Sequence, residues 1–277
     1  MMAALVTDEL WEAIAPHLPE HPPDPKGGRP RVPDRRALAG ILFVLREGLR
    51  WQSLPAEMGC GSGGTCWRRF AEWTEADVWR KAHALLLGAL GERGLLNLER
   101  AVVDSASTRA VKGGPHTGPN PTDRAKRGLK RHLATDGDGT PLAVLIGPAN
   151  RRDEQPVGPL PWLMRAALLA AGLRLPAAVQ ADRGYGFPWT IALILSWGMR
   201  ALIAPRGSPH GSGLGRTRYV VERTHAWFSR PRRLVQCYER RPEHAQAFHS
   251  LAACVICARK LRAARPRPDR PAARLVA

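Results

Sequence analysis

The sequence predicts an α/β protein, a mixed five-stranded sheet with flanking helices preceded by a small all-helical region. Three observations predict it. Up to Gly94 the apolar residues recur at helical spacing; from Arg100 three short apolar runs follow one another, two of them flanking the turn Gly137-Asp138-Gly139; beyond Leu160 helical and strand patterns alternate. Strands joined by a tight turn pair antiparallel, whereas strands separated by a helix pair parallel through right-handed crossovers. The order β-β-β-α-β-α-β-α therefore gives a mixed sheet.

Thr7 to His17 reads as a short helix with Thr7 as its N-cap. The Pro-, Gly- and Arg-rich stretch His21 to Pro33 breaks it and serves as a linker or as an arm along a DNA backbone. Asp34 caps a second helix, with Leu38, Ile41, Leu42 and Leu45 on one stripe and Gly48 at its end. A helical piece at Leu54 to Met58, a Gly-rich turn and a helix from Thr65 to Trp73 have the outline of a helix-turn-helix, with Arg68 and Arg69 toward DNA. An all-helical cap with solvated arginines fits the same residues. After a helix from Glu75 to Leu90, Gly91 and Gly94 mark a boundary. The expected division is a helical DNA-binding domain at 1–95, a catalytic domain at 96–261 and a disordered basic tail at 262–277.

Arg100 to Thr108 is the first strand of the sheet. Ala110 to Lys126 is too polar and broken for a strand and reads as a mobile loop. Leu129 to Asp136 and Thr140 to Gly147 form a hairpin. Then come a helix at Leu160 to Ala171, a strand at Ala177 to Ala181 ending on Asp182, a helix at Trp189 to Trp197, a strand at Arg200 to Ala204 and a helix at Tyr219 to Ser229. Trp162, Trp189 and Trp227 fall at helical core positions. Cys254 and Cys257 lie in an apolar helical run without a second pair at zinc spacing, so core thiols are expected.

The charge narrows the partners. With 42 Lys and Arg against 24 Asp and Glu, the formal net charge is +18, which favours a polyanion, nucleic acid before an anionic membrane. No apolar run reaches the roughly 18 residues of a spanning helix, and no signal-peptide pattern opens the chain. An odd five cysteines without a framework suit reduced thiols and a cytoplasmic, nucleoid-associated protein.

Against this basic background three acids stand out. Asp104 lies inside the apolar run Ala-Val-Val-Asp-Ser, where an uncompensated charge is costly. Asp182 ends a parallel strand before Arg183-Gly184-Tyr185-Gly186, the usual place for sites in open α/β sheets. Glu222 shares a helix face with Arg218, and Ser229 lies further along it. Three carboxylates in one cleft suit divalent metal chemistry on phosphodiesters, because hard oxygen ligands hold Mg²⁺. Alone, Glu222 with Arg218 reads better as a surface ion pair and Asp182 as a turn former; the joint placement of the three favours the site. Lys112, Lys126, Lys130 and Arg131 are candidates for backbone phosphates, as are Arg183 and Arg218 around the trio.

Several runs together closely resemble bacterial insertion-sequence transposases of the IS-five family. They are Val102-Val103-Asp104-Ser105, Gly118-Pro119-Asn120-Pro121-Thr122-Asp123, Leu129-Lys130-Arg131-His132, Ala181-Asp182-Arg183-Gly184-Tyr185 and Val220-Val221-Glu222-Arg223-Thr224. The resemblance covers nearly the whole chain. It implies a ribonuclease H-like fold, a DDE triad of Asp104, Asp182 and Glu222, and two Mg²⁺ ions, with Mn²⁺ as a substitute. It also implies double-stranded DNA partners, the element's terminal inverted repeats and a target, bound by a homo-oligomer. Related families carry a Tyr, Arg, Glu, Lys signature on the last helix: Arg218 and Glu222 match it, while Gly215 and Ser229 stand in the other two places, with Arg230 as the stand-in for the lysine's phosphate contact. Arg152 and Gly186 also depart from the pattern. A second reading is a DNA-binding derivative of a transposase without catalysis.

Overall fold

The computed structural model describes residues 5–22, 30–151, 159–204 and 215–264, with backbone alone at 159 and 215–217. Arg152, residues 23–29 of the Pro-rich stretch and 265–277 of the basic tail lie outside the described residues.

Four helices come first. In α1 (Asp8–Ile14) the Thr7 hydroxyl accepts from the Leu10 N–H at 3.3 Å, the expected cap. Helix α2 (Asp34–Glu47) ends at Gly48, whose φ of 70° is the left-handed conformation that glycine adopts without strain. Asp34 does not cap it. Pro33 holds the cap position, and the Asp34 carboxylate pairs instead with Arg69 at 2.6 Å. The expected helix at Leu54 to Met58 is replaced by two 3₁₀ turns, Trp51–Ser53 and Ala56–Met58, because Pro55 interrupts the ladder between them. Ser62 then caps α3 (Gly63–Glu75) through Thr65 N–H at 3.1 Å, and α4 (Val78–Glu92) follows.

The sheet is built as the element order requires. Strand β1 (Ala101–Ala110) pairs antiparallel with β3 (Arg127–Thr135), which pairs antiparallel with β4 (Pro141–Pro148). After α5 (Pro159–Ala170), β5 (Ala178–Gln180) pairs parallel with β1; after α6 (Pro188–Ser196), β6 (Arg200–Leu202) pairs parallel with β5. The order β4-β3-β1-β5-β6 is the ribonuclease H-like arrangement. Helix α7 (Gly215–Phe228) lies against β1 and β3. The chain closes with α8 (Arg232–Val235), β7 (Gln236–Cys237) and α9 (Pro242–Ala263).

Two expectations are corrected here. Residues 110–126 are tethered, not a mobile loop: β2 (Gly118–Pro119) pairs with β3, and His116, Thr117 and Asn120 are buried. Local side-chain bonds replace a ladder, as where Asn120 Oδ1 accepts from Thr122 N–H at 3.2 Å. Trp162 and Trp189 are not core residues but 52% and 46% exposed. Their helices, α5 and α6, are apolar on more than one face, so periodicity alone cannot choose the inner one.

One hydrophobic core runs through both the helical region and the sheet. Helix α9 joins them. Its Phe248 stacks on Phe70 of α3 at 4.3 Å, with Trp51 beside both rings. Its Gln246 amide satisfies the edge of β4, donating to Val144 O at 2.9 Å and accepting from Ile146 N–H at 3.0 Å. All five cysteines are free and buried, and burial pushes the Cys254 and Cys257 thiols up, as inert core thiols.

Candidate active site

The two aspartates are set by strand register. Val102 lies opposite Gln180 in the parallel β1/β5 pair, so two residues further along each chain Asp104 and Asp182 leave neighbouring strands at the same level. Adjacent strands are about 4.8 Å apart, which puts both carboxylates at one sheet end. Asp182 also stands at the N-terminal cap position of a 3₁₀ turn, Arg183–Tyr185, that carries the chain out of the sheet.

Glu222 comes to them on α7, whose position is held by the three residues that follow it. Arg223 Nη2 donates to Asp138 O at 2.6 Å and Thr224 Oγ1 donates to Gly139 O at 2.7 Å, tying the helix to the β3–β4 turn. Arg131, on β3, donates from Nε and Nη2 to His225 Nδ1 at 3.3 and 3.2 Å, and from Nη2 to the His225 carbonyl at 3.3 Å. Ala106 faces Arg131 across the antiparallel pair, so Arg131 projects on the same sheet face as Asp104, beneath α7. Burial and the Arg131 charge lower His225 to a pKa of about 3, keeping the ring neutral, and the Asp104 carbonyl lies beside it.

Glu222 itself stays exposed, while Val220, Val221, Thr224 and Phe228 turn inward. The carboxylates form one electrostatic unit. Burial above all, with the Asp182 and Glu222 charges, raises Asp104 to a pKa of about 6 against a hydrogen bond from the Ser105 backbone and the Arg218 guanidinium, which pull it down. Asp182 Oδ1 is buried without a hydrogen-bond partner, as is Arg218 Nε. The trio is not a closed cage: among the described residues no three His, Cys, Asp or Glu side chains are placed to hold a metal ion. The donors nonetheless fit a hard divalent cation in chemistry. An orphaned carboxylate oxygen beside a carboxyl that retains its proton to about pH 6 is a site short of positive charge.

The basic residues divide. Arg68, Lys112, Lys126 and Arg230 are exposed; Arg183 and Arg218 are partly buried near the trio. Lys130 donates to Arg151 O at 3.0 Å. Two expected DNA contacts are corrected to structural roles. Arg69 is 5% exposed, held by Asp34 and the Val32 carbonyl, and its helical spacing from Cys66 and Trp73 already points it inward. Arg131 is 2% exposed, and burial lowers it to a pKa of about 10. Its guanidinium stands 5.0 Å from the Phe228 ring centroid. Arg131→Lys keeps the charge but loses the planar fork that reaches ring and carbonyl together. We expect a loss of about 1–2 kcal/mol in urea unfolding; an unchanged midpoint would remove Arg131 from the brace.

Known proteins resemble this chain along most of its length. Residues 6–83 match the family described as "Putative transposase of IS4/5 family", and residues 98–258 match the family described as "Transposase DDE domain". The chain is 42% identical over 175 residues to the "Putative transposase for insertion sequence element IS402" of Burkholderia cepacia, covering 62% of this chain and 81% of that protein. It is 51% identical over 125 residues to the "Insertion element IS402 uncharacterized 16.2 kDa protein" of the same organism, covering 44% and 84%. Among solved structures, the Mos1 transposase paired-end complex with left transposon end is 12% identical, covering 84% of this chain and 78% of that one, at a TM-score of 0.28. The chain belongs to the DDE transposases of insertion sequences, of the IS4/5 family.

Proposed function

We propose that Asp104, Asp182 and Glu222 are the carboxylates with which this transposase cleaves DNA at the terminal inverted repeats of its element and joins the freed 3′ ends to target DNA. The observation that carries the reading is the β1/β5 register, which sets Asp104 and Asp182 side by side beneath the helix bearing Glu222. Bound between these three side chains, Mg²⁺, two ions in all and replaceable by Mn²⁺, would supply charge neutralisation at the phosphate and activation of the attacking hydroxyl. The chain's own cations do the rest. Arg218, next to Asp104, receives the scissile phosphate, and Arg183 flanks it on the Asp182 side. The outward Arg68, Lys112 and Lys126 follow the backbone of the double-stranded DNA, giving a binding constant that falls steeply with salt. Two DNA ends require at least two protomers, so the working form is a homo-oligomer on DNA. Its substrate places it in the cytoplasm, on the nucleoid.

The test is nicking of duplex DNA bearing the inverted repeats that flank the coding region, with Mg²⁺. The native chain cuts at the repeat ends. Asp182→Ala and Glu222→Ala retain DNA binding but lose about 10³-fold in cleavage, equivalent to about 4 kcal/mol. Binding without nicking by the native chain would instead identify a DNA-binding derivative that has lost catalysis.

A further inference from the structure

On α7 Tyr219, Arg223 and Trp227 follow one another four residues apart, Trp227 on the side of the helix away from Glu222, and Arg230 stands just past the helix end. The Arg223 guanidinium lies between the two rings, 5.8 Å from the Tyr219 centroid and 5.2 Å from that of Trp227. At its C-terminal end this stripe opens on a pocket of about 410 Å³ between α7, the β3–β4 turn and α9. Trp227 and Ile256 form its apolar wall; Arg230, Arg259 and Lys260 supply the positive charge, and Asp138, which accepts from the Asn97 amide at 3.2 Å, also lines it. Arg230 and Arg259 are exposed, and neither forms an ion pair within the described residues. Lys260 is engaged with Thr140 Oγ1 at 2.6 Å and lies 3.8 Å from Asp136.

Two unpaired guanidinium groups call for an anion, and the half-buried indole beside them calls for a flat apolar group. A regular duplex presents phosphates but keeps its bases stacked inside. We propose that this pocket binds one unpaired nucleotide of a DNA strand, its base against Trp227 and its phosphate on Arg230 and Arg259. Base–aromatic stacking beside a cationic backbone contact is the general mode of single-strand binding, and the volume falls in the range of small-ligand pockets. The site lies across α7 from the carboxylates, so it binds DNA without taking part in cleavage. Arg230 is thereby assigned to this pocket, away from the acidic trio.

The proposal rests on the reading of this chain as a DNA-binding enzyme. Its test is equilibrium binding of the full chain, without divalent metal, to a blunt duplex of arbitrary sequence and to the same duplex carrying one unpaired nucleotide. Cleavage plays no part in that readout, so loss of the catalytic reading leaves it intact. The native chain is expected to prefer the second probe about tenfold. Trp227→Ala abolishes the preference, Trp227→Phe retains most of it, and Arg230→Gln with Arg259→Gln weakens both probes and lowers the salt slope by about two. Equal binding of both probes by the native chain, or a preference that survives Trp227→Ala, overturns the proposal. So does an unchanged salt slope in the arginine variant.

Discussion

Asp104→Asn is expected to abolish strand cleavage and, without divalent metal, to make the folded protein more stable at neutral pH. The two effects have one cause. In the native chain the carboxyl is buried beside Asp182 and Glu222, and its pKa rises from 3.8 to about 6. A raised folded pKa means that the native state holds a proton which the unfolded chain has already released. The proton-linked stability is therefore complete below about pH 4 and is lost as pH rises through about 6. At pH 8 the accumulated cost approaches about 3 kcal/mol, at 1.36 kcal/mol per unit, and a neutral amide avoids it. Thermal unfolding in chelator between pH 4 and 8 measures this: the native curve falls relative to the variant, and Mg²⁺ restores the native chain alone. Parallel curves across that range would show that Asp104 carries no such strain.

Gly139→Ala is expected to cost about 2–4 kcal/mol and to reduce cleavage beyond the loss of folded protein. Gly139 has φ of 90°, strained for any L side chain, and a Cβ there would stand 2.9 Å from Thr224 Oγ1 and 3.1 Å from Val220 Cγ1. Relief requires α7 to move off the hairpin, which breaks the Thr224–Gly139 hydrogen bond and carries Glu222 away from Asp104. Urea unfolding measures the first effect, and cleavage at a temperature where the variant remains folded measures the second. A stability change within about 0.5 kcal/mol would mean that the hairpin does not set the position of α7.

The strands were legible because their apolar runs and the Gly-Asp-Gly turn obey local rules, and β1, β3 and β4 form where those rules place them. Glu222 was legible as an outward position of an amphipathic helix, and it is exposed. Arg131 was not. In the run Leu129-Lys130-Arg131-His132 two adjacent cations look equivalent, and only pairing with Ala106 and the cover of α7 bury one while leaving the other at the surface. Arg69 had a signal that charge outweighed, its helical spacing from Cys66 and Trp73. The brace after Glu222 and the pocket beside Trp227 join residues about eighty and thirty positions apart, as with Thr224–Gly139 and Arg230–Arg259.

Local sequence thus decided the elements, their order, the mixed parallel and antiparallel sheet, and the candidate carboxylates, because periodicity, turn chemistry and crossover handedness act over a few residues or follow from element order. Family motifs then named the chemistry. Register and burial were decided only by the folded chain. Which residue stands beside Asp104, which arginine stays at the surface and which braces a helix, and whether α9 closes a core shared with the first helices all depend on contacts between distant segments. A one-residue change of register reverses which face a strand residue occupies. Charge and position along the chain do not record it.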